Sequence, residues 1–195
     1  IRRLIGTIES QPGMFKIIFS IAIYTGMRQS EILGLQIKDI DFANNTIDIN
    51  KQHGFDIIDG KRIRASVDTK TPNSVRLIFI PRFLTDIIKS YVNSLKVVNK
   101  DGYLFYNYKK NKVYNREWIS RKFSEMLKAN NIPHIRFHDM RHLYATMAIN
   151  SGVNVVVVAK NLGDTVETVL NNYTHEIEEE RKKATHTFEE YVKNL

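Results

Sequence analysis

Apolar residues in this chain follow a helical spacing over most of its length and a strand-like spacing over one short region. After Pro12-Gly13 they recur three and four residues apart until Gly26, as Phe15, Ile18, Phe19 and Ala22. We expect a second helix from about residue 29 to 37. Short runs bounded by turn residues then predict strands at 39–42, 46–49, 62–67 and 75–80. Such a pattern favours helices packed around one small antiparallel sheet.

Helical signals return after the last predicted strand and continue to the end of the chain. The predicted helix boundaries lie at Pro81, Asn115, His138, Ser151-Gly152, Gly163 and Glu176. We therefore expect one α+β domain over residues 1–195. It should be mostly helical, with an antiparallel β-sheet of about three strands.

The chain is basic, with 29 Lys and Arg residues against 21 Asp and Glu residues and a net charge of +8. This balance favours a polyanionic partner, usually nucleic acid and sometimes an acidic membrane surface. The lack of cysteine excludes disulfides, thiolate zinc sites and cysteine nucleophiles, and it fits a reducing cytosol. No stretch approaches the roughly 20 apolar residues of a membrane span. Because the first residue is Ile1 and not Met, we expect a fragment of a longer protein.

His138 and Arg141 lie three residues apart, so both project from one face of the predicted helix. A proton carrier beside a permanent cation suits a phosphate that gains negative charge in a transition state. The alternative is a buried histidine bonded to backbone, with Arg141 paired to a carboxylate. His138 and His142 also have the i, i+4 spacing of a zinc helix, with Asp139 where metallopeptidases have Glu. Against zinc, Asp is a shorter base and Arg141 would place a cation beside the metal.

Three further residues have an ordinary explanation when each is considered alone. Arg28 could form a surface ion pair with Glu31, or bind phosphate while Glu31 steadies it. Lys70, in a polar turn between two predicted strands, could be a solvated lysine or a mobile general acid. Tyr173, among polar neighbours, could be a half-buried packing residue or a nucleophile. As a nucleophile it needs nearby cations or a base, because the pKa of a free phenol is ~10.

Four segments together resemble the motifs of the tyrosine recombinases, the phage and transposon integrase family. Residues 25–35, around Arg28, resemble the first arginine motif, and residues 138–142 match the His-x-x-Arg motif. Thr69-Lys70-Thr71 resembles the β-hairpin lysine, while residues 162–163 and 172–175 resemble the closing motif that carries the tyrosine. The resemblance covers about residues 12–176, and four motifs in order are more specific than any one of them.

The resemblance implies the fold of a tyrosine-recombinase catalytic domain and a specific reaction. Tyr173 would attack the scissile phosphate of DNA, leaving a 3′-phosphotyrosine bond and a free 5′-hydroxyl. A second DNA end would then rejoin the strand without ATP or metal. Arg28 and Arg141 would bind the non-bridging oxygens, Lys70 would protonate the leaving oxygen, and His138 would assist proton transfer or hold the phosphate.

The chain departs from the family pattern at one position. The family has His, sometimes Trp, directly after Leu-Gly, whereas this chain has Asp164. An ionised Asp cannot donate a hydrogen bond to phosphate, and the charge of the transition state would repel it. We expect Asp164 to orient Arg141 or His138, or to accept a proton from Tyr173. Alternatively, His175 takes over part of the missing role.

The resemblance also implies partners for the protein. These are double-stranded DNA at attachment or recombination sites, a tetramer of the protein on that DNA, and accessory DNA-bending or excision proteins, with no membrane. The location would be the bacterial cytoplasm, associated with the nucleoid. The N-terminal DNA-binding domain of the family would be absent from this chain. The tail, residues 176–195, would either pack on its own domain or dock on a neighbouring protomer.

Other functions remain open at the level of sequence. A nicking-closing enzyme like a type IB topoisomerase would use the same chemistry. A non-catalytic DNA-binding domain would explain Asp164 as a mark of decay. Stoichiometric bound zinc would instead favour the peptidase interpretation.

Overall fold

The structure is a computed structural model that describes residues 1–58, 61–68 and 75–194, with side chains at 1–52, 75–178 and 181–194. Within these ranges the chain forms nine α-helices: α1 (Arg2–Glu9), α2 (Gly13–Thr25), α3 (Gln29–Gly34), α4 (Arg82–Ser94), α5 (Arg116–Ala129), α6 (Asp139–Asn150), α7 (Val155–Leu162), α8 (Val166–Asn172) and α9 (Thr174–Lys193). A short 3₁₀ turn, Ile37–Asp39, follows α3. The predicted site residue Lys70 and its neighbours Thr69 and Thr71 lie outside the described residues.

The same ranges contain seven strands: β1 (Ile40–Asp41), β2 (Thr46–Ile49), β3 (Lys51–Ile58), β4 (Lys61–Asp68), β5 (Arg76–Phe79), β6 (Tyr106–Asn107) and β7 (Lys112–Val113). Three of them form an antiparallel sheet in the order β1-β2-β5. Ile47 at its centre lies opposite Ile40 on one side and Ile78 on the other. The predicted α+β class, mostly helical with a three-stranded antiparallel sheet, is confirmed.

Helix α1 and strands β3, β6 and β7 were absent from the prediction. The predicted strand at 62–67 exists as β4, but it pairs with β3 in a separate hairpin and not with the three-stranded sheet. β3 was missed because its first residues, Lys51-Gln52-His53-Gly54, lack the alternation of polar and apolar residues that marks a strand. Helix α1 was also missed, and it buries Leu4 and Ile8 against the core.

Helix α2 is the centre of the hydrophobic core. Its residues 17–23 are all buried, so other elements must cover it on every side. Helices α1, α4 and α6 pack against it. The ring of Phe19 lies 5.2 Å from that of Phe123 in α5, edge to face. Asn115 fixes the start of α5 as predicted, because its Oδ1 accepts a 2.8 Å hydrogen bond from the backbone N–H of Trp118.

A second apolar cluster joins the last helices to α6. Its buried members are Ala145, Ala148, Ile149, Val158, Ala159, Leu162, Val169 and Tyr173. The small residues Ala145 and Ala159 let α6 and α7 approach closely. This cluster therefore fixes the C-terminal end of α7 and the start of α9 against α6, which is the helix that carries His138 and Arg141.

Candidate active site

The first predicted arginine lies at the junction of α2 and α3. Helix α2 ends in Gly26, which has a left-handed φ of 66°, and α3 begins one residue after Arg28. A Cβ on Gly26 would lie 2.6 Å from Leu162 Cδ2 and 2.6 Å from Tyr144 Cδ1. The turn therefore requires glycine both for its backbone conformation and for the close packing of α6 and α7.

Glu31 connects Arg28 to a second arginine, Arg76 in β5. The Glu31 carboxylate accepts a 2.8 Å bond from the Arg28 backbone N–H and a 3.1 Å bond from Arg28 Nη1. Arg76 donates to both of its oxygens, from Nη1 at 3.0 Å and Nη2 at 2.9 Å. Burial alone would raise the pKa of Glu31, but the hydrogen bonds and charge of Arg76, aided by Arg28, lower it. Glu31 is therefore an ionised carboxylate in the core.

Arg141 is buried, with a side chain only 6% exposed. Its Nη1 donates to the Gly26 carbonyl at 2.7 Å, and its Nη2 donates to the Leu162 carbonyl at 2.8 Å. Burial and the charge of Arg28 lower its pKa, while Asp164 opposes that effect. A guanidinium remains charged under such conditions, because its ordinary pKa lies far above neutral pH. These contacts hold a cation rigidly inside the protein.

The C-terminal end of α7 receives arginines from three different elements. Gly163 ends the helix with a φ of 67°, and the N–H groups of Gly163 and Asp164 bond back to Lys160 and Ala159. This pattern is a Schellman motif, and it leaves the last carbonyls of the helix free to accept other donors. The Asn161 carbonyl accepts a hydrogen bond from Arg76 Nε at 2.7 Å, and the Leu162 carbonyl accepts one from Arg141 Nη2 at 2.8 Å. The Gly163 carbonyl accepts one from Arg28 Nη2 at 3.4 Å. Cations are favoured there because the helix dipole is negative at this end.

Asp164 bridges the two predicted phosphate-binding arginines. Its Oδ1 lies 2.8 Å from Arg28 Nη2, and its Oδ2 lies 2.6 Å from Arg141 Nη2. One carboxylate thus joins two guanidinium groups, with one oxygen on each. The side chain of Asp164 is 23% exposed and that of Arg28 is 33% exposed, so this anion site opens to solvent.

The hydroxyl of Tyr173 lies 2.8 Å from Nδ1 of His142. The Tyr173 ring is buried in the second apolar cluster, at the last turn of α8 and immediately before α9. Burial raises the pKa of its phenol, the charge of Arg141 acts against this, and Asp164 and Glu176 add to the rise. The phenol is consequently protonated near neutral pH, and its hydrogen-bond partner is an imidazole.

His138 is exposed at the start of α6, the helix that carries His142. It is the N-cap residue of α6, and its ring centroid lies 5.6 Å from that of His142 in an edge-to-face arrangement. Desolvation and the charges of Arg141 and His142 lower the pKa of His138. At neutral pH its imidazole is therefore neutral and can donate one hydrogen bond and accept another.

The predicted site residues that the structure describes divide into three groups. Arg28, Arg141, Asp164 and Glu31 form one connected network, and Tyr173 is joined through His142 to the helix of Arg141 and His138. His175 lies exposed in the first turn of α9, two residues beyond Tyr173. Lys70 lies outside the described residues.

Sequence reasoning missed two functional contacts. The sequence presents His142 only as the second histidine of a possible zinc helix, yet the structure places that ring at the tyrosine hydroxyl. The signal in the sequence is its i, i+4 spacing from His138, which places both rings on one face of the helix. Arg76 lies in the predicted strand at 75–80 and was not among the predicted site residues, although its guanidinium supports Glu31. No group of three or more His, Cys, Asp or Glu residues that could hold a metal occurs in the described part of the chain.

The chain matches the family model described as the phage integrase family over residues 1–180. Its fold and its arginine–tyrosine site define a catalytic domain of that type, and the chain belongs to the phage integrase family. None of the helices that the structure describes is long and apolar enough to cross a membrane.

Relatives are similar to this chain along most of its length. It is 28% identical over 182 residues to the ICEBs1 integrase of Bacillus subtilis, covering 89% of this chain and 48% of that protein. It is 31% identical over 176 residues to a XerC-like tyrosine recombinase of Caldanaerobacter subterraneus, covering 82% of this chain and 45% of that protein. The chain therefore spans about half the length of these relatives.

Solved structures share the fold. The Tn1549 transposon integrase in complex with circular intermediate DNA has a TM-score of 0.74 at 22% identity, over 94% of this chain and 64% of that one. XerA recombinase has a TM-score of 0.72 at 22% identity, over 94% and 62% of the two chains. At 22% identity, these similarities show that the folds are alike and nothing more.

Proposed function

We propose that this chain is the catalytic domain of a site-specific tyrosine recombinase that cuts and rejoins double-stranded DNA. The observation that carries the proposal is the pair Arg28 and Arg141, whose guanidinium groups hold one anion between them. The hydroxyl of Tyr173 is hydrogen-bonded to His142, which directly follows Arg141 in α6. Two fixed cations and a phenol with a base are the parts that phosphoryl transfer to tyrosine requires.

The proposed cleavage step begins at Tyr173. As its oxygen forms a bond to phosphorus, His142 Nδ1 accepts the phenol proton, because burial keeps the phenol protonated beforehand. The bond from phosphorus to the 5′ oxygen breaks, and Lys70 donates a proton to that leaving oxygen. The products are a 3′-phosphotyrosine and a 5′-hydroxyl. Attack by the hydroxyl of another strand reverses the same transfers and rejoins the DNA.

Arg28 and Arg141 stabilise the charge that develops on the non-bridging oxygens. Arg141 is fixed by two backbone carbonyls and Arg28 by Glu31, so neither must reorganise during the reaction. His138 is neutral near pH 7 and can donate a hydrogen bond to the phosphate without altering the charge of the site. Removal of one such donor typically costs ~10²–10³ in rate.

The partners that fit this site follow from its chemistry. Double-stranded DNA supplies the phosphate, and the net charge of +8 attracts it. A tetramer on DNA would present four such sites, and the exposed apolar residues near the end of α9, Phe188 and Tyr191, fit a contact with a neighbouring protomer. We also propose accessory DNA-bending or excision proteins as partners. The proposed location is the bacterial cytoplasm, at the nucleoid.

Covalent trapping tests the proposal. The chain is incubated at low salt with a pool of duplexes that have randomised centres and nicks at varied positions, so that a short 5′-hydroxyl fragment diffuses away after cleavage. We expect a denaturation-resistant protein–DNA adduct in the presence of EDTA, and sequencing of the trapped DNA then gives the preferred site. Tyr173→Phe should form no adduct, whereas Tyr108→Phe, an exposed tyrosine outside the site, should match the wild type.

Two results would contradict the proposal. Equal adduct with Tyr173→Phe would mean that another residue is the nucleophile. Adduct formation only in the presence of a divalent metal would mean that the mechanism is different.

A further inference from the structure

Asp164 stands where the family pattern has a hydrogen-bond donor, and its carboxylate lies between the two arginines. Its two oxygens are 2.8 Å from Arg28 Nη2 and 2.6 Å from Arg141 Nη2. A carboxylate held this way presents two oxygens to two guanidinium groups, as the non-bridging oxygens of a phosphodiester do. Both groups also have a formal charge of −1, so either one balances the site equally well.

The hydrogen bonds of Arg141 make the two anions competitors. Nη2 of a guanidinium has two hydrogens, and here one points to the Leu162 carbonyl and the other to Asp164 Oδ2. That nitrogen has no further hydrogen for a phosphate while Asp164 is in place. A phosphate beside an ionised Asp164 would also face like-charge repulsion in a partly buried site.

The backbone around Asp164 allows its side chain to leave while the arginines stay. The Schellman motif fixes its N–H on the Ala159 carbonyl, and Thr165 Oγ1 caps α8 at the next residue. The side chain itself is 23% exposed and has solvent to rotate into. Arg141 keeps its bonds to the Gly26 and Leu162 carbonyls after such a rotation.

We infer that the Asp164 carboxylate is an internal substitute for the DNA phosphate and occupies the phosphate position between Arg28 and Arg141. It must leave that position before the scissile phosphate can bind to the two arginines. The inference rests on the proposed function, since the ligand is the phosphate of the strand that is cut. Asp164 keeps the two cations paired and in position when DNA is absent. Its displacement makes phosphate binding weaker than it would be at an empty pair of arginines.

Binding of inorganic phosphate tests the exchange without any need for strand cleavage. The Kd for phosphate is measured by calorimetry for the wild type, Asp164→Asn and Glu167→Gln. Asparagine keeps the shape of the side chain but loses the charge-assisted bonds, which are about twice as strong as neutral ones. We expect Asp164→Asn to bind phosphate about tenfold more tightly than the wild type. Glu167 is an exposed acid three residues away, so Glu167→Gln controls for the loss of one negative charge and should stay within about twofold.

A second measurement on the wild type covers the case in which Asp164→Asn does not fold. The side-chain NMR signals of Arg28, Arg141 and the Asp164 carboxyl carbon are followed during a phosphate titration. We expect all three to shift with one common Kd. Arginine signals that shift while the Asp164 carboxyl signal stays unchanged would overturn the inference.

Four other results have a definite meaning. An Asp164→Asn protein that binds phosphate no more tightly than Glu167→Gln would overturn the inference, and so would absence of phosphate binding in every variant. Covalent adduct formation by the wild type together with either of these results would leave the proposed function intact. Absence of adduct together with tighter phosphate binding by Asp164→Asn would support the exchange and contradict recombinase activity.

Discussion

His142 Nδ1 lies 2.8 Å from the hydroxyl of Tyr173, and the two residues meet where α6 and the junction of α8 and α9 share an apolar cluster. Because burial raises the pKa of the phenol, an imidazole at this distance is the described group best placed to remove its proton. The proposed role of His142 as the base for Tyr173 leads to the first prediction.

Replacement of His142 by Gln should slow adduct formation by ~10²–10⁴, the range typical for loss of a general base. The measurement is the single-turnover rate of adduct formation with the trapped DNA. Introduction of 3,5-difluorotyrosine at position 173, which ionises more readily, should restore much of the rate in His142→Gln. His134, an exposed histidine outside the site, provides the control, and His134→Gln should be as fast as the wild type. A rate defect that difluorotyrosine does not relieve would assign His142 a structural role.

Replacement of Glu31 by Gln should destabilise the protein by about 3–5 kcal/mol at pH 7, because it breaks a buried ion pair between Glu31 and the guanidinium of Arg76. The measurement is the free energy of unfolding in urea. Glu125, an exposed acid that pairs with Lys122, provides the control, and Glu125→Gln should unfold at nearly the same urea concentration as the wild type.

The stabilisation by Glu31 should depend on pH in one direction. Its pKa is lowered in the folded protein from a usual value of 4.5, so the unfolded chain takes up a proton first as the pH falls. The stabilisation is complete above pH 4.5 and is lost as the pH falls through the lower folded value. The difference in unfolding free energy between wild type and Glu31→Gln should therefore shrink below pH 4.5. A difference that stays constant as the pH falls to roughly 3 would contradict this account.

Replacement of Gly26 by Ala should destabilise the protein through two separate effects. The φ of 66° costs about 1–2 kcal/mol for a residue with a Cβ. Overpacking against Leu162 and Tyr144 adds about 1–3 kcal/mol, since both atoms lie 2.6 Å from the new Cβ. Gly152 is the matched control, because its φ is 82° but a Cβ there meets nothing within 4 Å. Urea unfolding should give a larger loss for Gly26→Ala than for Gly152→Ala, and equal losses would mean that the packing clash is relieved.

Removal of residues 180–195 should weaken assembly on DNA more than DNA binding by a single protomer. Phe188 is 68% exposed and Tyr191 is 62% exposed, so these rings gain most by burial against another copy. The double change Phe188→Ala and Tyr191→Ala should reproduce the truncation. His186→Ala with Glu190→Ala, which removes an exposed pair on the same helix, is the control. Sedimentation of the DNA complexes measures assembly, and equal loss of binding and assembly would rule out a role in protomer contacts.

The elements with regular spacing could be predicted from the sequence. Helix α2 and helix α5 followed from apolar residues three and four apart and from the cap at Asn115. Strand β3 could not be predicted, because its first residues, Lys51-Gln52-His53-Gly54, lack the alternation of polar and apolar residues that marks a strand. The segments of the predicted site were found because they resemble family motifs, of which the His138 and Arg141 pair stands three residues apart on one helix face.

The sequence by itself determined the fold class, the family, and the identity of the residues at positions 28, 138, 141, 164 and 173. Only the tertiary structure decided what those residues touch. Arg28 and Asp164 are 136 residues apart in the chain, and their contact exists because α7 ends in a left-handed glycine beside the turn that follows α2. His142 and Tyr173 meet because α6 and α8 bury a shared apolar cluster. Such contacts depend on packing between distant elements, which local spacing does not encode.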